Sequence, residues 1–452
     1  MYKKLKIALL LFYFLNFILS MIRGRVAWIF TDPFIRILLG LYVVTTWLLS
    51  IFSFGIWSPK GWTPEEAIEK SRVLALKCNI TETETRDRLH EEAMKRSLKD
   101  LDKSDLYFLG RITPVGRLVA KKLMVETFHR LFPQASSFAL PAKTVWIVSL
   151  PRTGSTWMHQ MCGMNRASRT MKSWELKMPV PWSIDCGPSV EERKGFVKKQ
   201  MEFFYKYFPK FKEIHFVKYD EPDECVNGFV DCVFPEHFSW GAANMEETYQ
   251  WYTSTDMSRQ YRHYKMLLQA VMYEESVLNQ PQAYESLILK SPHHILKLKD
   301  IAKVFPNSVF VWLHRDVAEV VGSCCSMNQT FLESVCPHYF DVEILAKRTA
   351  TRLANAVTIG MRDRDHLELS WPEIQFVDIM YSDLKSDPAS TIKQAFDSVN
   401  ISCTDEFLEQ IRSQHTRPSN SSSKTKHSIE SFGLSNEWLD ELFQEYRDRF
   451  KL

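Results

Sequence analysis

The sequence lacks the patterns that hold metals or cross-link small secreted domains. Its nine cysteines are an odd number, and they form no C-x-x-C pair and no cysteine/histidine spacing of the zinc type. Most of them are therefore expected to be small buried hydrophobic residues. No internal repeat is visible either. These absences disfavour a disulfide framework and a repeat architecture, and we expect no metal.

A strong charge bias is also missing. The 452 residues carry a formal net charge of only +3, and 45% of them are hydrophobic. The overall charge gives no reason to expect a nucleic-acid partner, so any anion-binding site must be local. The length and the hydrophobic content suffice for one large core with appendages.

Two apolar runs lie near the amino terminus. Residues 5–22 are nearly all apolar apart from Lys6 and follow Lys3 and Lys4, and residues 37–57 contain no charged side chain. At about 1.5 Å per residue the second run can cross a hydrocarbon core of about 30 Å. A signal peptide is disfavoured because Arg23 and Arg25 follow the first run in place of a small-residue cleavage site. We predict that residues 1–60 form a membrane anchor, with a buried core helix as the alternative.

The side of the membrane stays open. If only the second run spans, the basic residues before it place the catalytic part in the lumen, whereas two spans return that part to the cytosol. The expected location is a membrane, and for a eukaryotic chain an endomembrane of the Golgi or endoplasmic reticulum.

The remaining sequence predicts a parallel α/β domain. Four short apolar runs read as strands, and a helical segment follows each of them, which is typical of a sheet covered on both faces. We predict a three-layer, P-loop-like parallel sheet over 144–452, preceded by a helical linker at 61–143 and the membrane helices. A helical, aromatic-rich insertion at about 196–280 either fills a core or lines an acceptor pocket. The predicted strands lie at 145–149, 287–290, 308–313 and 375–380.

The stretch Val145–Asn165 predicts an anion site. A buried strand runs into a tight loop and then into a helix, whose first backbone N–H groups have no partner within the helix and lie at the positive end of its dipole. Arg152 adds a planar cation with several donors. The lysine of a Walker loop is absent, so a magnesium-dependent nucleoside triphosphatase is disfavoured. The loop residues are Arg152, Thr153, Gly154, Ser155 and Thr156.

A second anion site is predicted downstream. The strand SVFVWL leads into His314-Arg315-Asp316 and a helix that contains Ser323. Open α/β sheets bind ligands at the carboxyl ends of their strands, so the two anion sites are expected to flank one crevice. Between them in the sequence lies LKSPHH, residues 289–294, which is again a strand end followed by a helix.

With these motifs the sequence resembles the sulfotransferases that use 3'-phosphoadenosine 5'-phosphosulfate (PAPS). The similarity is greatest to a branch common in bacteria, and it extends in order over about 144–450. A closing helical segment at 428–450 also resembles that branch. The matching segments are PRTGST at 151–156, Trp174-Glu175 through Pro179 and Pro181, HFVKYDEPDEC at 215–225, LKSPHH at 289–294, HRDVAEVVGS at 314–323 and MYSDLKSDP at 380–388.

The resemblance implies a role for each anion site. The 5'-phosphosulfate is expected at the first loop, and the 3'-phosphate at Arg315 and Ser323. Val317 replaces the proline usual after the aspartate, which leaves both phosphate contacts in place. Lys424 or Lys426 is expected to contact a phosphate. The residues implied for the first loop are Arg152, Thr153, Gly154, Ser155, Thr156 and Trp157.

Sulfuryl transfer requires a base for the acceptor proton and cations for the leaving phosphate. Glu175, in the segment where relatives place a catalytic carboxylate, is the favoured base, and His294 is second. Arg152 is expected over the breaking bond, assisted by Lys290 or His294. His215, Glu221 and Glu224 rank lower, with the two glutamates on the acceptor side.

The predicted acceptor is a hydroxyl of a small molecule, a lipid-like compound or a glycan, and the sequence leaves open which of these it is. The oligomeric state is also open. The alternative prediction is a non-catalytic membrane scaffold that keeps the fold and binds a nucleotide or another anion.

Overall fold

The computed structural model describes residues 124–181, 188–207, 216–229, 244–278, 283–335, 340–415 and 428–452, with a few isolated positions elsewhere. The predicted membrane anchor at 1–60, most of the linker, and His215, Lys424 and Lys426 lie outside these residues. Among the residues that are described, no helix combines the length and the apolar character needed to cross a membrane.

A five-stranded parallel sheet forms the centre of the domain, with the strand order β2-β3-β1-β4-β5. The central strand β1 pairs with β3 on one side and β4 on the other, so that Trp146 lies between Leu289 and Phe310. Apolar side chains on both faces of these strands favour burial between two helical layers. The strands are β1 (Lys143–Ser149), β2 (Ser168–Thr170), β3 (Ser286–Lys290), β4 (Ser308–His314) and β5 (Gln375–Met380).

Helices connect the strands and cover both faces of the sheet. Within the described residues the α-helices are α1 (Pro133–Ser136), α2 (Ser155–Cys162), α3 (Ser173–Lys177), α4 (Val190–Tyr207), α5 (Glu246–Ser254), α6 (Ser258–Leu278), α7 (Leu298–Val304), α8 (Val317–Val335), α9 (Val342–Ser370), α10 (Tyr381–Ser386), α11 (Pro388–Ser398), α12 (Asp405–His415), α13 (Asn436–Leu442) and α14 (Gln444–Phe450). Short 3₁₀ helices occur at Cys225–Gly228, Pro292–Leu296 and Ile429–Phe432.

Alternating side chains divide the core into two layers. Val145 and Ile147 of β1 point to the face covered by α2, α11 and α12. Trp146 and Val148 point to the opposite face, which is covered by the longer helices α6, α8 and α9. This alternation follows from the two-residue period of a strand. The predicted three-layer α/β domain with a parallel sheet is confirmed.

The four predicted strands are confirmed, and the edge strand β2 is the one that the sequence did not indicate. Its three residues, Ser-Arg-Thr, carry no apolar pattern, and they are extended because they pair with β3. The segment between Leu131 and Lys143, at the end of the predicted linker, contains the one-turn helix α1. Several tyrosines of the aromatic-rich insertion are fully buried, including Tyr252, Tyr261 and Tyr264, and they fill the core.

Because the strands are parallel, their carboxyl ends meet at one edge of the sheet. The segments that follow β1, β3 and β4 therefore lie side by side there. These are the residues that the sequence singled out at 150–156, 290–294 and 314–323.

Candidate active site

The loop after β1 has the geometry of an anion site. Arg152 and Gly154 have φ values of 68° and 87°, in the left-handed region that glycine tolerates best. The Thr153 hydroxyl donates to the carbonyl oxygen of Leu150 at 2.9 Å and closes the turn. Helix α2 begins directly after it, at Ser155. The amino end of the helix consequently faces the space enclosed by the loop.

Tyr381 packs beneath this loop and was not predicted as a site residue. A Cβ atom built on Gly154 would lie 2.7 Å from Cε2 of Tyr381. The same ring lies 4.5 Å from the guanidinium carbon of Arg315. One aromatic side chain therefore contacts both predicted anion sites. The only signal in the sequence is its position in the MYSDLKSDP segment, to which no role was given.

Gly154→Ala is expected to lower the free energy of unfolding by about 1–3 kcal/mol, because alanine at a left-handed φ is strained and its Cβ would collide with Tyr381. The measurement is chemical denaturation. Gly195→Ala in α4 is the matched control, since its Cβ would meet no atom within 4 Å. That variant should gain about 0.5–1 kcal/mol. Equal stability changes in the two variants would contradict the prediction.

Arg152 joins the two predicted anion sites. Its Nε donates to the Ser323 hydroxyl at 3.0 Å. A guanidinium nitrogen of Arg315 donates to the Arg152 carbonyl oxygen at 2.7 Å, and Arg315 also forms an ion pair with Glu319. The side chain of Arg152 thus lies on the β4 side of the loop. The sequence had predicted it over the breaking bond.

Lys290 is the cation on the β3 side of the loop. Its ammonium group donates to the Thr156 hydroxyl at 3.0 Å and forms an ion pair with Glu224. The Lys290 and Glu224 side chains are 1% and 4% exposed, respectively. The ammonium therefore lies at the amino end of α2, where it is already paired with a buried carboxylate.

Asp223 fixes the segment that carries Glu224. One carboxylate oxygen of Asp223 accepts from the Glu224 backbone N–H at 2.7 Å, and the other accepts from Ser173 at 2.6 Å and Lys177 at 2.8 Å. Burial acts to raise the pKa of Asp223, but the ammonium of Lys177 and these hydrogen bonds outweigh it and hold that pKa well below its usual range. Asp223 therefore stays ionised and ties Glu224 to α3.

Glu175, the favoured base of the sequence analysis, is held by a buried ion pair. Its two oxygens accept from the guanidinium of Arg169 at 2.6 and 3.2 Å, and one of them also accepts from the Lys172 backbone N–H at 2.7 Å. Arg169 binds Glu275 as well, at 3.0 Å. Both oxygens are thereby engaged in contacts with the edge strand β2 and the start of α3, which favours a structural role.

His294, the second predicted base, is fully buried among aromatic rings. Its Nδ1 lies 3.0 Å from the Tyr261 hydroxyl, and its ring packs edge-on against Trp146 at 4.7 Å. Burial holds the pKa of His294 well below its usual range and that of His293 at about 4. Both imidazoles are neutral at neutral pH. A proton taken up by His294 would be a buried, unpaired charge, so its surroundings disfavour the base role.

The other predicted residues lie around this site. Glu221 accepts from Gln160 of α2 at 3.2 Å and from Lys218 at 2.7 Å, which places it beside α2. Trp157, a residue of α2, is half-buried and packs against the apolar core between α2 and the sheet. No group of three or more metal-ligating side chains occurs in the described part of the chain.

The fold is shared with bacterial sulfotransferases. Over 83% of this chain and 97% of the other, the structure superposes on the sulfotransferase STF1 from Mycobacterium tuberculosis H37Rv with a TM-score of 0.67 and 19% sequence identity. The sulfotransferase STF9 from Mycobacterium avium gives a TM-score of 0.69 and 18% identity, over 86% of this chain and 96% of that one. At these identities the similarity defines the fold.

The class of protein is shown by a match to a protein-family model. The model described as "Sulfotransferase family" matches residues 144–405, which is more than half of the chain. The chain therefore belongs to the sulfotransferase family, as the sequence resemblance predicted. A search of curated protein sequences gave no significant match.

Proposed function

We propose that the protein transfers a sulfuryl group from PAPS to a hydroxyl group of an acceptor. One observation carries the proposal: two sets of cationic and hydroxyl donors flank the same loop. Arg152, Arg315 and Ser323 lie on the β4 side, and Lys290 with Thr156 lies on the β3 side. A donor nucleotide with phosphate at both its 3' and 5' positions requires two such sites.

The residues around the loop fit this co-substrate. Only glycine can hold the φ of 87° at position 154 beside Tyr381 without strain, so the backbone can approach an anion closely. Ser149, directly before the loop, has a buried hydroxyl oxygen without a hydrogen-bond partner among the described residues. PAPS, when bound, supplies an activated sulfuryl group and a phosphate as its leaving group.

Different residues of this chain would bind the two ends of the nucleotide and stabilise the leaving phosphate. Arg315, Ser323 and Arg152 hold the 3'-phosphate on the β4 side. The first-turn amides of α2, with Thr156, hold the 5' end of the nucleotide, and Lys290 faces the negative charge that develops on the leaving phosphate. The role proposed for Arg152 thus changes from a contact at the breaking bond to a contact with the 3'-phosphate.

We propose Glu224 as the base, in place of Glu175. Glu224 forms an ion pair with Lys290, and Lys290 contacts the anion loop through Thr156. An acceptor hydroxyl beside the sulfuryl group would therefore be within reach of this carboxylate, which would accept its proton. Glu175 instead has Arg169 as its partner, on the edge strand.

The second candidate function is a non-catalytic scaffold that binds the nucleotide. The observation that favours it is that both carboxylates considered as bases are buried in ion pairs. It shares the binding residues with the first proposal and differs from it in turnover.

The test is label transfer from radiolabelled PAPS, with lipid and glycan fractions of a membrane extract as acceptors. Transfer into one fraction, together with a thermal shift caused by the product 3'-phosphoadenosine 5'-phosphate, is the expected result. Arg315→Ala should abolish the thermal shift because a charge-assisted phosphate contact is lost. A thermal shift without transfer would favour the scaffold. The absence of both would exclude PAPS as the donor.

A further inference from the structure

Helix α4 exposes two phenylalanines on its outer face. Phe196 is 57% and Phe203 is 64% exposed. They are seven residues apart, which is two helical turns, so they lie on the same face. Lys199 and Lys206, each three residues further on, are exposed on that face as well. We call Phe196, Lys199, Phe203 and Lys206 the α4 outer face.

Buried residues on the inner side of α4 fix the orientation of the helix. Arg193 is fully buried and donates to the Pro179 carbonyl oxygen and to Glu274, each at 2.6 Å. Val197 is fully buried beside it. Rotating the phenylalanines inward would expose these groups and break the ion pair, so the outward direction is built into the packing.

Aromatic and basic side chains continue beyond the helix. Phe216 is 42% exposed, and its ring lies 5.0 Å from that of Tyr205. The ammonium of Lys212 lies 5.3 Å from the Phe216 ring. Between positions 196 and 206 the helix itself contains three lysines and one glutamate. The exposed apolar surface is thus surrounded mainly by positive charge.

We propose that the α4 outer face docks onto an anionic lipid bilayer. Phenylalanine rings insert at the boundary between headgroups and acyl chains, while lysines extend their apolar stems and keep the ammonium group at headgroup level. The positive charge complements anionic headgroups. In an apolar protein groove the same lysines would be desolvated without a counter-charge, which disfavours that occupant.

Docking there brings the acceptor side of the site to the membrane. The Tyr205 hydroxyl of α4 accepts from the Val217 backbone N–H at 3.0 Å, and the chain reaches Glu224 seven residues later. A lipid-like acceptor in the bilayer would then have access to the site. This consequence rests on the proposed function, whereas the docking itself does not.

The experiment uses full-length protein in which Phe203 is replaced by the photoreactive benzoylphenylalanine. The protein is reconstituted with vesicles of phosphatidylcholine, with or without phosphatidylserine, and irradiated. Mass spectrometry then identifies what is attached at position 203. The matched control carries the same probe at Leu369, which is 87% exposed on α9.

The expected result is a phospholipid adduct at position 203 when phosphatidylserine is present, and none at 369. The additional changes Lys199→Gln and Lys206→Gln should lower the adduct yield by at least about fivefold. A protein adduct at 203, no adduct, or an equal yield without phosphatidylserine would overturn the proposal. Because no donor nucleotide is present, these outcomes are independent of sulfuryl transfer.

Discussion

Replacing Glu224 by glutamine should lower kcat for sulfuryl transfer by about 10²–10⁴-fold, the range that a positioned base contributes. Glutamine keeps the size of the side chain and an acceptor for Lys290, but it cannot take the acceptor proton. Steady-state kinetics of label transfer from PAPS will measure this loss.

Glu175→Gln is the comparison variant that tests whether Glu224 or Glu175 is the base. It removes one charge of the buried pair with Arg169 and leaves the guanidinium with Glu275 as its remaining acidic partner. We expect the free energy of unfolding to fall by about 1–3 kcal/mol, because charge-assisted hydrogen bonds are lost while Glu275 still compensates the guanidinium charge. In the folded fraction, counted by nucleotide binding, kcat should fall less than about tenfold, below the range for loss of a base. A large kcat loss in this variant with little in Glu224→Gln would restore Glu175 as the base.

Lys290→Met has the second largest expected effect. The change removes a preorganised donor beside the leaving phosphate, which should lower kcat by about 10²–10³-fold, as for other single donors to a developing charge. It also leaves Glu224 buried without its ammonium partner, so the free energy of unfolding should fall by about 3–5 kcal/mol. Steady-state kinetics and chemical denaturation measure the two effects separately.

The double variant Lys290→Met with Glu224→Gln separates catalysis from folding. With both charges removed, no unpaired ion remains, and most of the lost stability should return. The activity should stay at least as low as in the single variant. If activity returned together with stability, Lys290 would be a structural residue and its catalytic role would be refuted.

Much of the fold could be predicted because its signals are local. Strands β1, β3 and β4 are built on apolar runs, β5 is apolar except for Gln375 and Asp378, and the loop at 151–156 has its glycine directly before a helix. The edge strand β2 could not be predicted, since its three residues are extended only through their pairing with β3. The contact of Tyr381 with Gly154 and Arg315 likewise depends on how β5 is placed in the sheet.

The parallel α/β domain, the family and the segments that meet at the carboxyl edge of the sheet could all be predicted from the sequence, because strand period, loop residues and motif order depend on neighbouring residues. The pairing of the charges could not be predicted in this way, since it depends on the three-dimensional packing. Lys290 meets a glutamate 66 positions away, and Arg152 meets a serine 171 positions away. Which carboxylate faces which cation depends on the packing of helices against the sheet, and packing is a property of the whole core.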